Sequence, residues 1–148
     1  MFSKTCEYAI RAVIYIAAES SQGRITGKTE ICMAVDVPID YTAKILQTLT
    51  RNKIVSSKKG LNGGFYLDEV QWNKKLLDIV IAIDGDSLFE ACGLGLQRCS
   101  EEQPCPLHFK FKSIRANLKK VMEGTTIIAM AKELKKDAVF LRLGLDKL

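Results

Sequence analysis

The sequence predicts a mainly α-helical fold with a small β-wing: a winged helix-turn-helix domain followed by a long dimerisation helix. Three observations carry that expectation. Apolar residues recur at three- and four-residue steps through residues 5–51, the period then breaks into a short Gly-rich hairpin, and a heptad-like seam begins at Leu107.

The elements follow in order. From Thr5 to Ala18, the residues Cys6, Ala9, Ile10, Val13, Ile14 and Ala17 define one buried helical face, and Ser20-Ser21-Gln22-Gly23 ends it. After Ile25, Gly27 to Val35 is again helical, with Ile31 and Ala34 inward, and stops at Asp36-Val37-Pro38. A third helix places Ile39, Ala43, Ile45, Leu46 and Leu49 on its apolar side and ends at Arg51-Asn52. Two short helices joined by a tight turn behind a longer supporting helix make a helix-turn-helix.

Between Lys53 and Leu67, two short β-prone runs, Ile54-Val55 and Phe65-Tyr66-Leu67, flank a basic tip rich in glycine. In this position the hairpin is a wing whose tip faces DNA. The plain alternative makes Lys58 and Lys59 solvated turn residues. Lys74 to Asp84 is a further amphipathic helix, with Leu76, Leu77, Ile79, Val80 and Ile83 apolar and Gly85 ending it. From Leu107 the residues Phe111, Ile114, Leu118 and Val121 continue a seam opposite Lys110, Lys112, Lys119 and Lys120. That seam suits either a core helix or, as preferred here, a dimer interface. Gly124 closes the helix, and Thr125-Thr126 can cap another. The tail from Leu134 to Leu148 is expected to pack on the dimer.

The expected division is therefore a DNA-binding domain over 1–84, a cysteine-rich loop over 85–105, and a dimerisation helix with its tail over 106–148. Composition supports one ordinary core, or a small domain plus an extension: 148 residues, 47% of them apolar. The 22 basic and 17 acidic residues are unevenly spread, with basic ends and an acidic middle, which suits a protein that meets a polyanion with selected faces. No signal h-region opens the chain and no apolar run reaches membrane-spanning length, so no membrane partner and a cytoplasmic location are expected.

The chemistry concentrates in CGLGLQRCSEEQPCPLH, Cys92 to His108, which holds three of the five cysteines and the single histidine. Thiolates and imidazole are the ligand set of zinc, copper(I) and iron–sulfur centres. Gly93, Gly95, Pro104 and Pro106 favour turns, so the backbone can wrap an ion, and Cys105 and His108 sit at the mouth of the long helix. Three alternatives stay open. A disulfide framework needs an oxidising compartment, structural zinc usually shows closely paired cysteines, and free thiols need no ligand at all. Singly spaced cysteines suit a cluster better, because a cluster needs ligands from separate points on a loop. Cys6 and Cys32 lie on apolar helical faces and read as core residues. Nothing suits an enzyme: His108 has no partner set for acyl transfer, and no Gly-rich phosphate loop follows a strand.

Nearly the whole chain resembles the Rrf family of winged helix-turn-helix iron–sulfur transcription regulators, the IscR and NsrR type. The resemblance rests on CEYAIRA, VPIDYTAKILQTLTRNKIV, SSKKGLNGGFYL and the cysteine-rich segment. It implies a homodimeric regulator, expected to act as a repressor on a double-stranded DNA operator and governed by an iron–sulfur cluster, with [2Fe–2S] expected and [4Fe–4S] as alternative. It implies Cys92, Cys99 and Cys105 as thiolate ligands, with the fourth ligand His108 or Glu7 of the partner chain. On the DNA side it implies Pro38, Asp40, Tyr41 and Lys44 at the recognition helix, with Lys58, Lys59, Gly60, Gly63 and Gly64 at the wing. Two departures stand out: Lys58-Lys59-Gly60 replaces the Arg-Gly of many relatives, and the first cysteine gap is six residues where IscR has five. A rival reading keeps the same fold as a cluster-free or zinc-binding regulator that answers to a small-molecule or protein partner.

Overall fold

The computed structural model describes residues 1–135. Among them α1 (Lys4–Ser20) is the element against which the others assemble, followed by α2 (Lys28–Val35) and α3 (Ile39–Arg51). Ser3 starts α1 by accepting a hydrogen bond from the Cys6 backbone N–H, satisfying one of the donors that a helix start leaves free. Ala9, Ala12, Val13, Ile16 and Ala17 of α1 are buried against Ile31 and Val35 of α2 and Ile45, Leu46 and Leu49 of α3. The small alanines let these helices approach closely. Ile10 and Ile14, expected inward, are only half-buried, while Ile16 is fully buried.

The tight turn between α2 and α3 is made at Asp36, whose backbone is left-handed (φ 55°) and whose N–H returns to the Cys32 carbonyl. Pro38 caps α3 and its carbonyl accepts from Thr42 N–H. Ile39 corrects the expected apolar face: it is 42% exposed, because the first turn of α3 projects beyond the core and Ile45, Leu46 and Leu49 do the packing.

The wing is a two-stranded antiparallel hairpin, β1 (Ser56–Lys58) and β2 (Gly64–Tyr66), with Ser57 opposite Phe65. Ile54 and Val55 precede the strand and are buried in the core rather than paired. Thr26 adds a third, single-residue rung that the periodicity did not announce. Its N–H donates to the Phe65 carbonyl at 3.0 Å and its carbonyl accepts from Phe65 N–H at 2.8 Å, which stitches the wing to the start of α2.

Beyond the wing, α4 (Glu69–Trp72) is a single turn boxed by Asp68 and Gln71. α5 (Leu76–Asp84) starts two residues after the expected Lys74, because the Lys74 carbonyl and Leu76 N–H pair with Ile127 and Thr125 instead. A short α6 (Ser87–Glu90), unexpected, leads into the cysteine loop.

The long helix is α7 (His108–Gly124), as the seam indicated. Thr126 then caps α8 (Ile127–Lys135), its hydroxyl accepting from Ala129 N–H at 3.2 Å. The α8 helix returns to the first domain: Ile127 and Ala131 are buried in the same core as α1. The expectation for the tail lies outside the described residues from position 136 onward. No helix of the described residues is long and apolar enough to cross a membrane.

Candidate functional site

Two faces carry chemistry, and each is built by a different part of the fold. On the first, α3, the start of α2 and the wing enclose an open groove of about 610 Å³. Lys58 and Lys59 line it, together with Gly60, Gly63 and Gly64. The glycines have backbone reasons. A Cβ on Gly63 would lie 2.1 Å from the Lys58 carbonyl oxygen, and one on Gly64 would lie 2.5 Å from that of Thr26. Their role is to permit the tight tip and the Thr26 rung.

Lys28, Gln47 and Arg51 also line the groove and were not singled out from the sequence. A signal for two of them existed: Gln47 and Arg51 lie three and seven residues after Lys44, on one polar stripe of α3. Lys44 and Asp40 are exposed on the same helix, and Pro38 is exposed at its start. Tyr41 is tied down more than expected. Its hydroxyl hydrogen-bonds to the Thr5 hydroxyl at 2.9 Å and its ring packs edge-on to Tyr8, yet it stays 41% exposed. On the same face of α1, Arg11 lies over the Tyr8 ring and donates to the Val35 carbonyl at 2.9 Å. The N-terminal half of α1 thus holds both helices of the helix-turn-helix.

The second face is the loop between α6 and α7. The Sγ atoms of Cys92, Cys99 and Cys105 all lie within 4.8 Å of one another, with Cys92 and Cys105 at 3.8 Å. All three thiols are free and partly exposed. His108, the first residue of α7, places Nδ1 3.1 Å from Cys99 Sγ and buries Nε2 without a hydrogen-bond partner among the described residues. The imidazole therefore sits beside the thiol cluster, against one of its members. Glu7 lies elsewhere on its own chain, paired with Lys4 at 2.8 Å, and that ammonium holds its carboxyl below the usual range.

The loop tunes its thiols. Backbone N–H groups of Leu94 and Leu96 point at Cys92 and bring its pKa down to about 7, the Leu94 bond measuring 3.4 Å. At Cys99 the backbone N–H of Cys105 favours the thiolate, but burial and the Cys105 and Cys92 thiols outweigh it, leaving the pKa above the ordinary value. This is a soft donor set with one sulfur readily ionised, beside an open cleft lined by Cys99 and Cys105. It fits a thiophilic metal or a cluster.

Three further ties, besides the Cys99–His108 contact, hold the loop to α7. A Cβ on Gly93 would lie 2.9 Å from the Phe111 ring, so the backbone passes that ring at glycine distance. Arg115 donates to the Ala91 carbonyl at 2.9 Å, and Lys112 pairs with Glu101. The apolar residues of α7 are split. Leu118 and Met122 pack inward with Cys6 of α1 and Val80 of α5, whereas Phe109, Ile114 and Val121 are exposed.

Comparison with known proteins agrees with this layout. A protein of Aquifex aeolicus described as an HTH-type transcriptional regulator is 30% identical over 129 residues, covering 86% of this chain and 88% of that protein. Protein aau3 of Rhizobium meliloti is 28% identical over 98% of this chain and 92% of its own length. The structure of CymR, the global cysteine regulator of B. subtilis, superposes with a TM-score of 0.72 at 19% identity, covering 89% of this chain and 96% of that one. T. potens IscR also gives 0.72, at 16% identity, over 94% of this chain and 91% of its own. At these identities the structures establish the shared fold. The family described as Rrf2, iron-dependent transcriptional regulator, matches residues 2–133, and the chain belongs to it.

Proposed function

We propose that this regulator is a homodimer whose binding to a DNA operator is set by an iron–sulfur cluster held on Cys92, Cys99 and Cys105. The observation that carries the reading is the convergence of the three thiols, from separate points of one loop, within 4.8 Å. His108 is the fourth ligand in this reading, because its ring already lies at Cys99 and its second nitrogen has no other partner. Glu7 of the partner chain is the competing choice. When bound, the cluster supplies a centre sensitive to oxidants, nitric oxide or iron supply.

The protein's own residues then couple loop to DNA. Ligation orders the loop, and the loop is braced on α7 through Phe111, Lys112 and Arg115. Leu118 and Met122 pass that bracing to Val80 and Cys6, and Cys6 lies on the same helix as Thr5 and Tyr8, which hold Tyr41 at the start of α3. A change in loop order therefore biases where α3 stands in each protomer, and so the spacing of two recognition helices about one DNA turn apart. Lys44 and Tyr41, flanked by Pro38 and Asp40, face the major groove. Lys58 and Lys59, with the backbone at Gly60, Gly63 and Gly64, take phosphates.

One distance supports a second reading. A single tetrahedral zinc, with bonds of about 2.3 Å, sets its thiolates about 3.8 Å apart, which matches Cys92 and Cys105. Iron, acid-labile sulfide and zinc analysis of anaerobically purified protein, with its visible spectrum, separates the two. Iron with sulfide and a thiolate charge-transfer band support the cluster. Zinc alone at one per chain, with no visible band, replaces it. His108→Ala should alter the spectrum while Glu7→Ala leaves it unchanged; the reverse assigns the ligand to Glu7.

A further inference from the structure

We infer that Leu61, at the tip of the wing, enters the DNA minor groove and makes the protein prefer A·T pairs beside its recognition core. The inference rests on the DNA-binding reading above and adds a specificity determinant to it.

Leu61 is a large apolar side chain with its whole surface in water, while most of the other large apolar residues of the wing and core are covered. The tip cannot fold back to hide it. Gly60 is at φ 108°, Gly63 N–H closes on the Gly60 carbonyl at 3.0 Å, and there is no room for a Cβ at Gly63. The hairpin is itself pinned to the body by the Thr26 rung. A rigid turn therefore presents one leucine outward, separated from Lys58 and Lys59 by Gly60 alone.

The groove between α3 and the wing determines what that leucine meets. It is walled by cations from both sides, with Arg51 of α3 and Lys28 of α2 opposite Lys58 and Lys59, and a phosphate ridge is the polyanion that fits such a trough. With α3 in the major groove on one side of that ridge, the wing tip lies on the other side. In a duplex, crossing one phosphate ridge from the major groove leads to the minor groove.

An apolar side chain discriminates there by what it cannot satisfy. G·C pairs present the guanine N2 amino group in the minor groove, a donor that leucine cannot accept, whereas A·T pairs present no such group. Burying that amine against a hydrocarbon costs a hydrogen bond to water. Leucine is also among the side chains that wedge between base steps, most easily at flexible A·T-containing steps.

The test begins with duplexes that the wild-type protein selects from a random pool. The base pairs flanking the selected core are then made A·T, G·C or inosine·C, the last having the major-groove face of G·C without the minor-groove amine. The wild type should bind the A·T and inosine·C duplexes alike, and the G·C duplex about tenfold more weakly, the scale of one mismatched pair. Leu61→Ala, whose fold is checked by circular dichroism, should bring that ratio close to one and keep the core preference. Inosine·C binding as weakly as G·C, or an undiminished flank preference in Leu61→Ala, overturns the role of Leu61 while leaving DNA binding intact. A wild-type protein that enriches no sequence defeats the DNA-binding reading itself, and this inference with it.

Discussion

The winged domain and the cysteine loop with α7 are neighbours in one chain but are stabilised differently. In the winged domain, three helices and the hairpin share a continuous core in which Ile16, Ile31, Leu46 and Leu49 are fully buried. Such burial is worth about 1.5–3 kcal/mol per large side chain, so this half needs no ligand to fold. The loop buries no residue between Asp86 and Pro106, and α7 fully buries only Met122. Besides the packing of Leu118 and Met122 on Val80 and Cys6, the loop is tied to α7 by a ring contact, the His108–Cys99 contact, one hydrogen bond to a carbonyl and an exposed ion pair, each of these ties contributing about 1 kcal/mol or less. The proposed function assigns DNA binding to the rigid half and sensing to the half whose order depends on what it binds.

The largest expected contrast comes from truncating side chains in each half. Leu49→Ala should lower the unfolding free energy by about 2–5 kcal/mol in a denaturant titration of the metal-free protein, because it opens a cavity in the core. Cys99→Ala, in the same titration, should change it by about 0.5 kcal/mol or less. Equal losses would mean that the loop is part of the rigid half.

The exposed side of α7 can be attacked separately. Ile114 is 60% exposed in the single chain and Val121 similarly so, whereas Leu118 is engaged with Val80 and Met122. Ile114→Asp with Val121→Asp should therefore abolish dimers in sedimentation while leaving the helical signal intact, since unpaired charges in an interface cost several kcal/mol. Leu118→Asp should damage the fold as well. A doubly substituted protein that remains dimeric places the interface on another face.

Cysteine reactivity should sharpen the comparison by a smaller factor. Burial pushes the Cys6 thiol up to about 12, with Asp84 beside it adding to the shift, while Cys92 stands at about 7. Raising the pH from 6 to 8 carries Cys92 from mostly thiol to mostly thiolate, so its alkylation in reduced, metal-free protein should rise about tenfold. Cys6 should stay unmodified until the chain unfolds. Peptide mass mapping reads both. The sign also bears on stability. A thiol whose folded pKa is raised holds its proton between about 9 and 12 while the unfolded thiol loses it, so Cys6 makes stability fall with pH across that window.

A further small effect should come from Tyr41→Phe, which removes the hydroxyl contact to Thr5 and keeps the ring on Tyr8. A loss of about 1 kcal/mol or less is expected. The informative readout is the difference in DNA affinity between cluster-loaded and cluster-free protein, which should shrink if Tyr41 links α1 to α3. An unchanged difference would route the coupling elsewhere.

Much of this was legible in the linear sequence, for local reasons. Helical faces such as Ile45, Leu46 and Leu49 follow from a 3.6-residue period, and the wing follows from glycines that only a tight tip requires. The family followed from segments read together, and the soft ligand types of Cys92, Cys99, Cys105 and His108 are visible as letters. Tertiary structure decided the rest, because it depends on partners far apart in the chain. No local signal says that Thr26 pairs with Phe65, that α8 returns to cover α1, or that Lys28 shares a groove with Arg51 and Lys59. Nor does a heptad pattern say which of its positions the chain covers by itself. Packing against α1 and α5 took Leu118 and Met122 inward and left Ile114 and Val121 in water, since a helix can turn only one side to its own core.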